Sequence, residues 1–258
     1  MKSKRILVCD GSLDGIFTAI YRAYDMRYGH EFIQIVEKPE KGAGMNYELF
    51  AEYIDIETDY ELSMKVARSI KQKISYEVYE MTARAALSEM VGRSDVIYRF
   101  LILGFHMGKD VVQYLSNDTV NQIFTLNRNV GNETHHLTGF LRFQEVGDGM
   151  LLSIIKPKNH ILSLLVPHFA DRLNQEDFII YDEGRGIAAI HPKNQEPFLM
   201  EIQEEMIQAL NYSKSKEEEY VRLWKAFYQS VSIKERENLK LQRNNLPLRF
   251  RGNMTEFH

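Results

Sequence analysis

A change of hydrophobic period near residue 131 constrains this chain more than any other feature in it. From Asp59 to Val130 apolar side chains recur at helical spacing: Leu62, Val66 and Ile70 make one stripe, and Val78, Met81 and Ala85 belong to another. Gly92-Arg93-Ser94 punctuates before a further helix, Asp95 to Met107, which Gly108 ends. Short helices follow over Val111–Leu115 and Val120–Val130. Beyond that point apolar residues come in brief runs separated by turn residues. Gly139–Val146 and Met150–Ile155 read as strands joined at Gly147-Asp148-Gly149, a turn that needs positive φ. Ile161–Leu173 is helical, kinked or restarted at Pro167. Phe178–Asp182 and Gly186–His191 make a second hairpin around Glu183-Gly184-Arg185. The order β-β-α-β-β predicts a small antiparallel sheet with a helix on one face.

The two ends carry other signals. Arg5–Cys9 reads as a short buried strand, and Asp10-Gly11-Ser12 turns into a helix carrying Ile16, Phe17, Ile20 and Tyr24. A second apolar run, Phe32 to Val36, ends at Glu37-Lys38-Pro39, and residues 41–45 read as a loop. Near the other end Pro197–Leu210 and Glu217–Val231 read as helices, and beyond Ser232 the chain turns basic. The expected class is α+β: a mostly helical N-terminal part with a short strand pair, the central β-β-α-β-β unit, and C-terminal helices. The expected division is 1–130 and 131–258, or one compact domain.

Composition excludes several functions. With a single cysteine, Cys9, the chain forms no internal disulfide and ligates neither an iron–sulfur cluster nor a Cys-rich zinc site. A formal net charge of -4 is no global signature of nucleic-acid binding, so any DNA contact rests on local basic patches. The apolar run after the basic start is too short for a signal peptide. Ile97–Phe105, interrupted by Arg99, falls well short of the ~20 apolar residues of a membrane helix. The expected compartment is the cytoplasm, with no membrane partner and no cofactor.

Candidate site residues gather in the second half. Five of the eight histidines, His135, His136, His160, His168 and His191, lie between residues 135 and 191, where imidazoles could transfer protons or meet Asp182 or Glu145 around a metal. No pair has the i, i+4 spacing of a helical zinc site, so no metal is expected. Arg142, Arg172 and Arg185 offer guanidinium forks to phosphate, against which stands local pairing such as Asp182 with Arg185 across the turn. Arg236, Lys240, Arg243, Arg249 and Arg251 lie near Trp224, Tyr228 and Phe250, a mixture suited to phosphate neutralisation and base stacking. Trp224 and Tyr228, at i, i+4 spacing, read better as core. Ser12 reads as a helix N-cap rather than part of a phosphate loop, because both the P-loop lysine and the G-x-G-x-x-G pattern are missing. Cys9 reads as inert packing.

Dispersed phrases add a family resemblance. They are Asp10-Gly11-Ser12, Gly15 and Ala23-Tyr24; Leu87-Ser88-Glu89 with Gly92; Gly104-Phe105 with Gly108; His135 with Gly139-Phe140-Leu141-Arg142-Phe143; Pro167-His168-Phe169; and Asp182 with Arg185. Leu223-Trp224, Tyr228, Glu235-Arg236, Gln242, Pro247 and Arg249 continue them to the end. The chain resembles a bacterial family of DNA metabolism or repair proteins. Members are similar to a domain of unknown function that occurs fused to uracil-DNA glycosylase-like proteins or beside a radical-SAM protein of DNA repair. The resemblance implies an accessory protein that binds DNA or docks such a partner. Two alternatives stand beside it. One is an enzyme acting on a nucleic-acid or nucleotide phosphate through His135, His168, Asp182 and Arg185; the other is an interaction scaffold that does not touch nucleic acid.

Overall fold

The computed structural model describes residues 3–39, 47–146, 149–212 and 246–254. The chain divides into two compact units, Met1–Gly131 and Asn132–His258. Helices and sheets share it, so the class is α+β.

In the first unit β1 (Lys4–Cys9) is the centre of a three-stranded sheet in the order β2-β1-β3, with β2 spanning Ile33–Glu37 and β3 Ala51–Asp55. Both neighbours run parallel to β1, which requires crossovers. α1 (Leu13–Asp25) makes the first of these. Its start is fixed locally, since Ser12 Oγ accepts from Gly15 N–H at 3.0 Å. Asp10 completes that end: one carboxylate oxygen accepts from Ser12 N–H at 2.8 Å, the other from Thr58 Oγ1 at 2.6 Å. The carboxyl comes so close to α1 that a Cβ on Gly15 would lie 2.1 Å from Asp10 Oδ1. Only glycine permits this approach. Burial pushes the Asp10 carboxyl up, but the bonds from Thr58 and Ser12, with the Lys38 charge, together hold it below its ordinary value.

Three further helices, α2 (Tyr60–Lys73), α3 (Tyr76–Ala86) and α4 (Arg93–Met107), follow in this unit. The expected stripes are buried: Leu62, Val66 and Ile70 on α2, Val78, Met81 and Ala85 on α3. Glu37, at the end of β2, caps α4 by accepting from Gly92 N–H, Ser94 N–H and Ser94 Oγ at 3.0, 2.8 and 2.7 Å. Cys9 is fully buried and its thiol is pushed up, chiefly by that burial, as inert packing requires. The sequence reading of a strand pair is therefore short by one strand. Ala51–Asp55 has too few apolar residues to announce itself and is defined by pairing with β1.

α5 (Asp118–Phe140) replaces the shorter helix expected to end at Val130. It overruns the expected strand Gly139–Val146, of which only β4 (Gln144–Val146) remains. Val130, Glu133 and Leu137 continue its buried side, and Leu141 N–H still donates to Leu137 O at 2.9 Å. Gly139 does not stop the helix, because the apolar face persists past it. His135 and His136 are thus helical neighbours, not residues beside a strand. Arg142, expected to alternate on that strand, donates instead to the carbonyls of Gly139 (2.9 Å) and Leu141 (3.2 Å) at the helix end.

The second unit holds a five-stranded sheet in the order β4-β5-β6-β7-β8, with β5 at Met150–Ile155, β6 at Phe178–Asp182, β7 at Ile187–His191 and β8 at Phe198–Glu201. Both expected hairpins form, and Gly149 has the positive φ (87°) of the first turn. The sheet is mixed, not antiparallel: α6 (Leu162–Arg172), with Pro167 inside it, carries the chain back so that β5 and β6 run parallel. β8 is a correction to the helix expected over Pro197–Leu210. The helix that follows, α7, covers only Glu204–Tyr212, and residues 198–201 pair with β7. The expected helix Glu217–Val231 lies outside the described residues. No helix among the described residues is long and apolar enough to cross a membrane.

Candidate functional site

Parallel pairing sets Ile155 opposite Asp182 at the carboxyl ends of β5 and β6, so residues 156–160 and 183–186 leave the sheet side by side. Ligands gather at such ends because loops, not packed side chains, line them. Here the loops are tied together by two buried charges.

Asp182, with no exposed surface, pairs with Arg185 Nη1 at 2.9 Å, and its other oxygen accepts from Gly184 N–H at 3.1 Å. Arg185 Nη1 also donates to Pro157 O at 3.2 Å, and Nη2 donates to Lys158 O. From the opposite direction Glu133 on α5, 1% exposed, accepts from Lys158 N–H at 3.0 Å, Asn159 N–H at 2.8 Å and Asn159 Nδ2 at 2.7 Å. A guanidinium takes the carbonyls of the 156–160 loop while a carboxylate takes its N–H groups. Both are charge-assisted bonds, and they offset the desolvation of the ions that make them.

A cavity of about 240 Å³ opens beside this brace, lined by Glu133, Leu137, Ile155, Lys156, Arg249 and Phe250 among others. Arg249, its side chain 45% exposed, lies 3.6 Å from Glu133. That separation is an ion pair but exceeds hydrogen-bond length. Its guanidinium lies 4.5 Å from the Phe250 ring centroid. Lys156 pairs with Glu183 at 3.0 Å, both exposed, an interaction of little strength in water. His136 stacks on Phe140 and meets Phe250, with ring centroids 5.7 and 5.2 Å away. Burial lowers its pKa first, then the neighbouring His135 and Arg249, against the opposing pull of Glu133.

A pH effect follows with a definite sign. A histidine whose folded pKa is depressed gives stability above its unfolded value of about 6.5 and loses it as pH falls toward the folded value. The His136→Phe variant keeps the ring packing and removes the titration. Urea unfolding at pH 7.5 and 5.5 should show wild type losing more stability than the variant; equal losses would sink this assignment.

Of the residues singled out in sequence, the structure brings Asp182 and Arg185 together and sets Arg249 at the cavity. His135 and His168 are exposed on different helices, α5 and α6, and Arg172 is exposed at the end of α6. Arg251 is half-buried in the 3-10 turn Leu248–Asn253. His191 is buried, with Nδ1 3.1 Å from Glu176 O and its ring stacked on Phe178. Arg236, Lys240, Arg243, Trp224 and Tyr228 lie outside the described residues. No group of three or more His, Cys, Asp and Glu among the described residues is arranged to hold a metal ion. Asp182 is buried with both oxygens engaged, and Arg185 bonds it to the carbonyls of the 156–160 loop. Glu133 and Lys156 escaped the sequence reading, although an acid at a core position between Val130 and Leu137 was visible there.

Comparison with known proteins adds a family. Residues 91–256 match the model described as a domain of unknown function, DUF4130. No curated protein matches. Among solved structures, a pGpG-specific phosphodiesterase, PggH from Vibrio cholerae, aligns at 10% identity over 82% of this chain and 99% of its own, with a TM-score of 0.34. So low a score carries no argument about fold or activity.

Proposed function

The chain belongs to the DUF4130 family of domains of unknown function, and we propose that its second unit is a phosphate-binding accessory module of DNA metabolism or repair. Arg249 carries the reading. It is half exposed in the lining of a cavity, lies 3.6 Å from Glu133 in an ion pair longer than a hydrogen bond, and is accompanied by Lys156. A guanidinium at a cavity suits phosphate oxygens, and the exposed Lys156–Glu183 pair is weak enough in water for the ammonium to turn to a phosphate; such groups position a nucleic-acid backbone without reading its sequence. The braced loop beneath them gives the rim a fixed shape. The companion in this reading is a radical-SAM or uracil-DNA glycosylase-like protein that does the chemistry, since Asp182 and Arg185 hold the loop.

The test is salt dependence. Each neutralised phosphate releases counterions, so Lys156→Ala with Arg249→Ala should flatten the slope of log K against log salt by about one to two units. Both side chains are exposed enough for the fold to survive, which circular dichroism checks. Absence of binding to single- or double-stranded DNA at low salt, or an unchanged slope in the double variant, defeats the proposal.

A further inference from the structure

The first unit has a groove of its own, unrelated to the strand ends. Its volume is about 400 Å³, and Tyr21 and Tyr24 of α1, Lys65, Ser69 and Lys73 of α2 and Phe105 of α4 contribute to its lining. Sites for small organic ligands begin near this size, at about 300 Å³, and combine an apolar body with a few polar groups. The composition is divided in that way. Ile20 and Val66 are buried in its lining, and Tyr24 meets Phe105 edge to face with ring centroids 5.8 Å apart. Lys65, Ser69 and Lys73 recur at i, i+4 and i+8, so one face of α2 presents a hydroxyl between two ammonium groups. The two lysines stand about 12 Å apart along the helix axis at 1.5 Å per residue.

Those lysines are not neutralised. Both are exposed, and among the described residues no carboxylate pairs with either. Lys65 Nζ lies 5.9 Å from the Tyr21 ring centroid, a cation beside an aromatic wall. Burial pushes the Tyr24 phenol up to about 12, so at neutral pH it keeps its proton and can donate it to an acceptor.

We propose that this groove binds a planar aromatic anion of nucleotide size, its ring against Tyr21, Tyr24 and Phe105 and its acidic group on Lys65 or Lys73. The aromatic walls select a flat ring, and the unpaired ammonium groups select a negative charge. Either half alone is a weaker ligand. The groove lies within the first unit and does not depend on the phosphate rim of the second.

The probes are AMP, adenosine and ribose 5-phosphate, titrated into the full chain while backbone amide resonances of residues 20–24, 65–73 and 105 are followed. AMP should move these resonances and bind at least about tenfold more tightly than adenosine or ribose 5-phosphate, the gain expected of one charge-assisted contact. Lys65→Glu with Lys73→Glu should weaken AMP by about tenfold or more and leave adenosine unchanged. Tyr24→Leu should weaken AMP and adenosine alike. Since Tyr24 also packs against His30, the charge reversals at exposed positions carry the decision if that variant misfolds. AMP that leaves these resonances unmoved, moves those around Lys156 and Arg249 instead, or binds the double charge reversal as well as wild type, overturns the proposal.

Discussion

Glu133→Ala is expected to lower the unfolding free energy by about 3–4 kcal/mol, the largest single effect within reach in the second unit. The carboxylate is buried and accepts three N–H bonds, two from the backbone of Lys158 and Asn159 and one from the Asn159 side chain. Asn159 is itself buried, so water does not readily replace the lost acceptor. Removing one side of a buried, hydrogen-bonded charge system leaves its donors unpaired, which costs more than the average hydrogen bond returns. Glu133→Gln is a sharper probe. It keeps one acceptor oxygen but turns an NH2 toward donors, so it should recover less than half of the alanine loss. Urea unfolding gives both values, and amide hydrogen exchange should show Lys158 and Asn159 opening before the strands do. A loss below about 1 kcal/mol for the alanine variant would falsify the bracing role, since an exposed, loosely held carboxylate costs no more than that.

Asp182→Ala is expected to cost about 2–3 kcal/mol and to loosen the same loop from its other end. The pair with Arg185 is buried on the Asp side but 25% exposed on the Arg side, so hydration recovers part of the guanidinium energy. What water does not restore is the fixed direction of the arginine fork toward Pro157 O and Lys158 O. Arg185→Lys should therefore be destabilising as well, because an ammonium point charge does not span three acceptors in a plane. A double-mutant cycle between Asp182 and Arg185 should give a coupling above about 1 kcal/mol. Additive losses would show that the two residues act separately and would reopen a role for Asp182 outside the loop.

Legibility along the chain follows the range of the interaction that fixes each feature. The Ser12 cap, the α2 and α3 stripes and the two hairpins were readable because their causes lie within a few residues. Asp182 and Arg185 were readable as a pair for the same reason: they are three residues apart across a turn. Arg249 stood out as a cation, but its place at the cavity did not, because Glu133 is far away in the chain. The end of α5 was misjudged: the helix was expected to stop at Val130 and a strand to begin at Gly139, but the buried face continues through Glu133 and Leu137 and the helix runs to Phe140.

By itself, then, the sequence determined the mixed α+β class, the helical run to residue 130, the strands β5, β6 and β7, and the shortage of cysteine that excludes a Cys-rich zinc site or a cysteine-ligated iron–sulfur cluster. Tertiary structure alone decided that β5 pairs parallel with β6, that residues 51–55 and 198–201 become strands, and that Glu133 holds a loop 26 residues away at Asn159. The reason is physical. Periodicity records which face of an element is buried, but strand partners and the acceptors of buried N–H groups are chosen by segments distant in sequence. A short strand with few apolar residues, or an acid set among apolar neighbours, acquires its meaning only when that distant partner arrives.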